Sequence, residues 1–193
     1  MMPGIIRESS RGIDRITIED ELFMNRKVFL TEAVDSVSMD AFIKQILFLN
    51  EADHEKPITV YINSPGGEVS SGLAAYDMLS LIEAPVITFC IGQAASMAAI
   101  LFLAGKERIM LPNSTVMIHD PAPGGGDLKG MKPDEIEEKL TDLKKSRDRL
   151  CSIIAEKTGR TKEEILSKTC KDSYFSAKEA LDFNLATKIA ERI

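Results

Sequence analysis

Ile58-Thr59-Val60-Tyr61-Ile62-Asn63-Ser64-Pro65-Gly66-Gly67 is the stretch on which the reading of this chain turns. Residues Ile58 to Ile62 are all β-branched or aromatic and run straight into a cluster of turn formers, the pattern of a strand and its end. Leu73, Tyr76, Met78, Leu79 and Ile82 then fall at helical spacing, so the segment is one strand–turn–helix unit. Pro85 opens a second unit of the same layout. Val86-Ile87-Thr88-Phe89-Cys90-Ile91 reads as a buried strand, Gly92-Gln93 as a turn, and Ser96 to Leu103 as a short helix apolar on every side. Arg108 to Leu111 and Thr115 to Ile118 are two more strands, joined by Pro112-Asn113-Ser114. Strands and helices alternating in this way predict an α/β domain with a helix-covered sheet.

Upstream, Val28-Phe29-Leu30 is a short strand, and Ser38 is placed to cap a helix carrying Met39, Phe42, Ile43, Ile46, Leu47 and Leu49 at helical intervals. Glu51 to Pro57 is a polar loop. Residues 1–26 mix charged and apolar side chains, with Gly12 to Glu19 alternating enough for a weak strand or arm. Downstream, Gly124-Gly125-Gly126 breaks the pattern before a long charged helix, about Pro133 to Lys157. Its apolar residues Ile136, Leu140, Leu143, Leu150 and Ile154 make one narrow stripe, so that helix is expected to project. Gly159 is a helix stop, and Thr161 with Glu164 and Ser176 with Glu179 open two short helices.

The chain has 193 residues, 44% of them hydrophobic and 28% charged, which fits one folded domain and excludes a disordered one. A net charge of -6 repels phosphate backbones and anionic bilayers, so neither nucleic acid nor a membrane surface is an expected partner. The three cysteines, Cys90, Cys151 and Cys170, are widely spaced and include no C-x-x-C pair. That argues against a disulfide framework or a zinc site and for a reducing, cytoplasmic setting. The first residues hold no apolar run of the kind an export signal needs. The longest nearly apolar stretch, Ala94 to Ala104, is about half of what crosses a bilayer.

There are only two histidines, and acyl transfer at neutral pH usually wants one imidazole as base. His54, among Asp53, Glu55 and Lys56, reads as a solvated loop residue. His119 closes an apolar strand, where ligand crevices of α/β sheets form, although a histidine bonding to backbone would sit there equally well. Ser96 stands where a strand turns into a helix, with backbone N–H groups beside it that would hold a developing oxyanion. The small residues around it, Ala94 to Ala99, also suit close helix packing. Ser64 and Ser114 lie in turns, where hydroxyls cap backbone. Gly66-Gly67 lets backbone approach a ligand closely, but no Gly-Lys-Ser follows it and no G-x-G-x-x-G follows a strand. His119-Asp120 offers too few ligands for a metal, and no cofactor is implied.

Taken in order, Tyr61-Ile62-Asn63-Ser64-Pro65-Gly66-Gly67, then Ile91-Gly92-Gln93-Ala94-Ala95-Ser96-Met97-Ala98, then Leu111-Pro112-Asn113-Ser114 through Met117-Ile118-His119 resemble the ClpP family of self-compartmentalising serine peptidases, over about Lys27 to Leu185. The resemblance implies the ClpP/crotonase-type α/β fold of stacked strand–strand–helix units with a protruding helical handle. Residues 1–26 would be an N-terminal arm, residues 27–123 and 159–193 the head, and residues 124–158 the handle. It implies a serine endopeptidase with Ser96 as nucleophile, His119 as general base and Asp172, ahead of Ser176-Ala177, as third member. Backbone N–H groups of Gly67 and Met97 would form the oxyanion hole, and substrate would lie as an added strand along Gly66, Gly67, Gly124, Gly125 and Gly126. The implied partners are copies of the chain, in two stacked seven-membered rings (a tetradecamer), a Clp-family AAA+ ATPase, and unfolded polypeptides as substrates.

Cys170-Lys171 departs from the family's usual acidic residue and arginine, which couple the two rings, and Asp120 stands where glutamine is common. These departures resemble those of a divergent paralogue, for which a second ClpP-type subunit is a further implied partner. Two other readings compete: a crotonase-type acyl-CoA enzyme that uses backbone N–H groups on an enolate, and a non-catalytic ring subunit.

Overall fold

The computed structural model describes residues 4–9, 12–122 and 130–192. An antiparallel pair, β1 (Ile5–Ser9) and β2 (Gly12–Ile16), comes first, with Ile5 opposite Ile16. Then α1 (Ile18–Met24) begins. The alternating segment Gly12 to Glu19 is therefore part strand and part helix. The switch is local: the Thr17 hydroxyl accepts from the Asp20 N–H at 3.0 Å and the Asp20 carboxylate accepts from the Thr17 N–H at 2.9 Å.

Strands and helices alternate from there as β3 (Lys27–Leu30), α2 (Ser36–Ala52), β4 (Ile58–Ser64), α3 (Val69–Leu81), β5 (Val86–Ala95), α4 (Met97–Leu103) and β6 (Glu107–Met110). The chain continues through β7 (Thr115–Ile118), α5 (Pro133–Thr158), α6 (Lys162–Thr169), β8 (Ser173–Ser176), α7 (Ala177–Asp182) and β9 (Lys188–Ile189). β3, β4, β5, β6 and β9 lie side by side, all parallel. β7 joins β5 in parallel and β8 in antiparallel pairing. This is the mixed α/β architecture with a parallel central sheet that the alternation predicts. Its core is Val28, Ile58, Val60, Ile62, Val86 and Cys90 from the strands, closed by α4, whose residues Met97 to Leu103 are all buried.

Three elements, α2, β4 and β5, run further than the sequence reading has them. Asp35, not Ser38, caps α2: its carboxylate accepts from the N–H groups of Val37 (2.9 Å) and Ser38 (2.8 Å), so the helix starts at Ser36 and runs on through Glu51 and Ala52. β4 continues through Asn63 and Ser64. β5 likewise does not turn at Gly92-Gln93. The Asn63 side chain accepts from the Gln93 N–H at 3.1 Å and fills the space where a Cβ on Gly92 would be, holding both residues extended. The strand changes partner there instead. Its last pair with β6 is Cys90 with Met110, and its first with β7 is Gln93 with Thr115.

The long helix α5 buries only Leu150, Cys151, Ile154 and Thr158, near its C-terminal end, and Leu140 is 48% exposed, so the N-terminal part is largely open to solvent. Gly159, at φ 71°, ends it in the left-handed conformation that glycine adopts without strain. No helix among the described residues is long and apolar enough to cross a membrane.

Buried Arg108 ties the C-terminal segment to this frame. Its guanidinium donates to the carbonyls of Leu185 (2.9 Å), Asn184 (3.0 Å), Gly105 (3.4 Å) and Lys157 (3.4 Å), joining β6, the end of α5 and the approach to β9. Arg108→Met keeps the stem and strands those carbonyls, at about 3 kcal/mol for buried acceptors left unpaired. Calorimetry should show a Tm lowered by roughly 6 to 12 °C in a chain of this size; a shift under about 2 °C would mean that the carbonyls find other donors.

Candidate active site

Three strand ends meet at one point. β5 and β7 run parallel, with Ala95 beside Met117, and the Ser96 N–H donates to the Met117 carbonyl at 2.9 Å. β7 and β8 run antiparallel, with Ile118 opposite Ser173, so the next residue out on each strand, His119 and Asp172, stand side by side. The register alone thus gathers Ser96, His119 and Asp172, which are far apart in sequence. The Ser96 hydroxyl lies 2.8 Å from His119 Nε2, and His119 Nδ1 lies 3.1 Å from Asp172 Oδ1. With the imidazole proton on Nδ1, the ring donates to the carboxylate and accepts from the hydroxyl, a relay that raises the nucleophilicity of Oγ.

The backbone at Ser96 is held in an unusual form, φ 54° and ψ -121°, which costs a non-glycine residue on the order of 1–3 kcal/mol. It lifts the hydroxyl out of the strand and presents it ahead of α4. Gly66 makes room for it: a Cβ there would sit 2.8 Å from Ser96 Cβ and 2.7 Å from Met97 N, and would overlap the Ala95 carbonyl. Gly66 and Gly67 both have positive φ, 82° and 154°. The Val34 N–H donates to Gly66 O at 2.9 Å and the Glu68 N–H to Val34 O at 2.7 Å, a pairing that passes over the Gly67 N–H. Met97 opens α4, so its N–H has no carbonyl one helical turn upstream to donate to. Met97 follows Ser96 directly, and Gly67 follows the glycine packed against the Ser96 turn.

A cleft of about 850 Å³ runs past the hydroxyl, bordered by Gly66, Gly67, Leu73, Ser96, His119 and Arg149. Glu68 at its rim is held below the usual carboxylate range by the hydroxyls of Ser71 (2.7 Å) and Ser70 (2.8 Å). A second, narrower slot of about 20 Å³ opens between Ser96 and α5. Burial pushes the Cys90 and Cys151 thiols up, so both stay protonated and poorly nucleophilic. No group of three or more His, Cys, Asp or Glu residues suited to a metal occurs among the described residues.

Of the residues singled out from sequence, Ser96, His119, Asp172, Gly66, Gly67 and Met97 come together here. His54 lies elsewhere, its side chain 60% exposed and 3.8 Å from Glu83. Ser64 and Ser114 cap turns: the Ser64 hydroxyl accepts from the Gly66 N–H at 3.1 Å and the Ser114 hydroxyl donates to Leu111 O at 2.8 Å. Gly124, Gly125 and Gly126 lie outside the described residues. Residue reading alone missed β8, which supplies Asp172; the short alternation Ser173-Tyr174-Phe175-Ser176 was its only signal. It also missed the parallel bridge from Val34 to Gly67, and Arg147, which lines the slot.

A family model described as Clp protease matches residues 10–193 of the chain. The geometry around Gly66 makes its own prediction. Gly66→Ala should push the Ser96 turn out of line, and fluorophosphonate labelling of Ser96 should slow by about 100-fold, as for a group displaced by an ångström, while far-ultraviolet circular dichroism stays unchanged. Labelling at the original rate would show that the turn tolerates the methyl group.

Proposed function

The chain belongs to the Clp protease family, and from that premise we propose that it is a serine endopeptidase, the proteolytic subunit of an ATP-dependent Clp protease that cuts unfolded polypeptides into short peptides. One observation carries the assignment of its residues: the unbroken hydrogen-bonded sequence Ser96, His119, Asp172, at 2.8 and 3.1 Å. Ser96 Oγ attacks the scissile carbonyl carbon as its proton passes to His119 Nε2. Asp172 accepts the Nδ1–H, fixes the tautomer and offsets the imidazolium charge. The N–H groups of Gly67 and Met97 hold the oxyanion. The C–N bond then breaks while His119 returns the proton to the leaving amine. Water attacks the resulting ester, its proton going to Nε2, and the carboxylic acid departs as Ser96 recovers its hydrogen.

Substrate lies as an extended strand in the 850 Å³ cleft beside Gly66 and Gly67, and Gly124, Gly125 and Gly126 are assigned to its binding as well. Binding through main-chain bonds tolerates many sequences. Residues 1–26 serve as an axial arm and residues 124–158 as the handle between two stacked seven-membered rings, with the remainder as the head. Self-association is supported by large apolar side chains on the surface: Phe29 is 44%, Phe48 60%, Val37 78% and Leu81 82% exposed. The site is thereby enclosed, and a Clp-family AAA+ ATPase feeds it. Cys170 and Lys171 are exposed beside Asp172, and with no arginine fork there, coupling between rings falls to other contacts or to a second ClpP-type subunit. The relay of serine, imidazole and carboxylate is a reason to prefer this reading to an acyl-CoA enzyme, which has no use for it.

In an assembled sample, Ser96→Ala should abolish cleavage of a fluorogenic peptide and labelling by a fluorophosphonate. Asp172→Asn should lower kcat by about 10⁴-fold with KM little changed. An active Ser96→Ala enzyme would sink the assignment. Native mass spectrometry of the chain, alone and mixed with a second ClpP-type subunit, should show a fourteen-subunit particle; a stable monomer under both conditions would contradict the ring.

A further inference from the structure

The narrow slot beside Ser96 and His119 has apolar sides, Val69, Ile100, Leu150 and Ile154, but Asp120 and Arg147 also line it, with Cys151 and Thr169. Among the described residues, Asp120 Oδ1 and Arg147 Nε are shut off from solvent with no hydrogen-bond partner. The two side chains do not satisfy each other, since Arg147 Nη1 is 4.0 Å from Asp120 Oδ2, beyond hydrogen-bond length. Their placement is fixed from behind. The Asp120 N–H donates to the Thr169 carbonyl at 2.7 Å, and Arg147 stands one turn ahead of the buried Leu150-Cys151 pair on α5. An unpaired acceptor and an unpaired donor, on two side chains that line a slot starting at the Ser96 hydroxyl, would be satisfied together by one group that both donates and accepts.

We propose that this slot takes the side chain on the acyl side of the scissile bond and selects a carboxamide, glutamine above all; the inference rests on the peptidase reading given above. The glutamine methylenes lie along Val69, Ile100, Leu150 and Ile154, its NH₂ donates to Asp120 Oδ1, and its carbonyl accepts from the Arg147 Nε–H. Methionine has nearly the same length and bulk but leaves both polar groups unpaired. Glutamate meets Arg147 and is repelled by Asp120; lysine meets Asp120 and is repelled by Arg147. With room for little more than one water in the free chain, the slot parts its walls least for an unbranched stem, so leucine and phenylalanine are disfavoured as well.

The test uses the assembled enzyme and fluorogenic peptides identical except at that residue, which is glutamine, methionine, glutamate, lysine or leucine. Glutamine should lead the others in kcat/KM by about tenfold or more, as expected where a site built to hydrogen-bond rejects isosteres that cannot. The double variant Asp120→Leu with Arg147→Met should reverse the order of glutamine and methionine, with fluorophosphonate labelling of Ser96 reporting that its site is still formed. Methionine or leucine equal to glutamine in the unaltered enzyme overturns the inference, as does an order unchanged in the double variant, and the peptidase reading survives both. If no peptide is cleaved and Ser96 does not label, the peptidase reading itself fails and takes the inference with it.

Discussion

Everything at the site depends on β7 being paired along both edges. Four residues, Thr115 to Ile118, bond in parallel to the end of β5 on one side and antiparallel to β8 on the other. A strand held on one edge only could slip, and a slip of one residue would turn every side chain to the opposite face. Held on both, it fixes His119 just past its end, between a serine carried by one neighbour and an aspartate carried by the other. The hydrogen-bonded series of 2.8 and 3.1 Å is a consequence of that register more than a cause of it.

The Ser96 turn adds a second constraint, of opposite sign. A positive φ at a serine is unfavourable, and it persists because the surroundings allow no relaxation. Ahead of it the strand is bonded to β7; behind it α4 is buried over its whole length; beside it Gly66 occupies the space a larger residue would need. Packing energy collected across the core thus holds one half-buried hydroxyl in place. The same economy explains why the second glycine, Gly67, is bracketed by backbone bonds to Val34 on both sides.

Much of this was legible in the residues, and the exceptions have a common origin. The strands Ile58 to Ile62 and Val86 to Ile91 and the helix from Pro133 announce themselves through periodicity, a local property. The capping pairs Thr161 with Glu164 and Ser176 with Glu179 are local too, and both form. What the residues hide is set by tertiary partners. Gly92-Gln93 looks like a turn until Asn63, thirty residues upstream, holds it extended. Asp35 outcompetes Ser38 as a cap because its carboxylate reaches two N–H groups at once. Asp172 carries no signal of its own. Only motif resemblance pointed to it, and only the antiparallel register of β8 gives a physical reason for its position.

The helix α5 is a rod of 26 residues, about 39 Å long. Its final turns pack on α4 and α6, residues Leu143, Ser146, Arg147 and Arg149 border the two openings beside Ser96, and the outer turns, Pro133 to Asp142, extend about 15 Å beyond them. The embedded turns carry Leu150 and Ile154, which wall the slot beside Ser96. One continuous helix thus carries both the exposed outer turns and the wall of the slot, so a displacement of the first is also a displacement of the second.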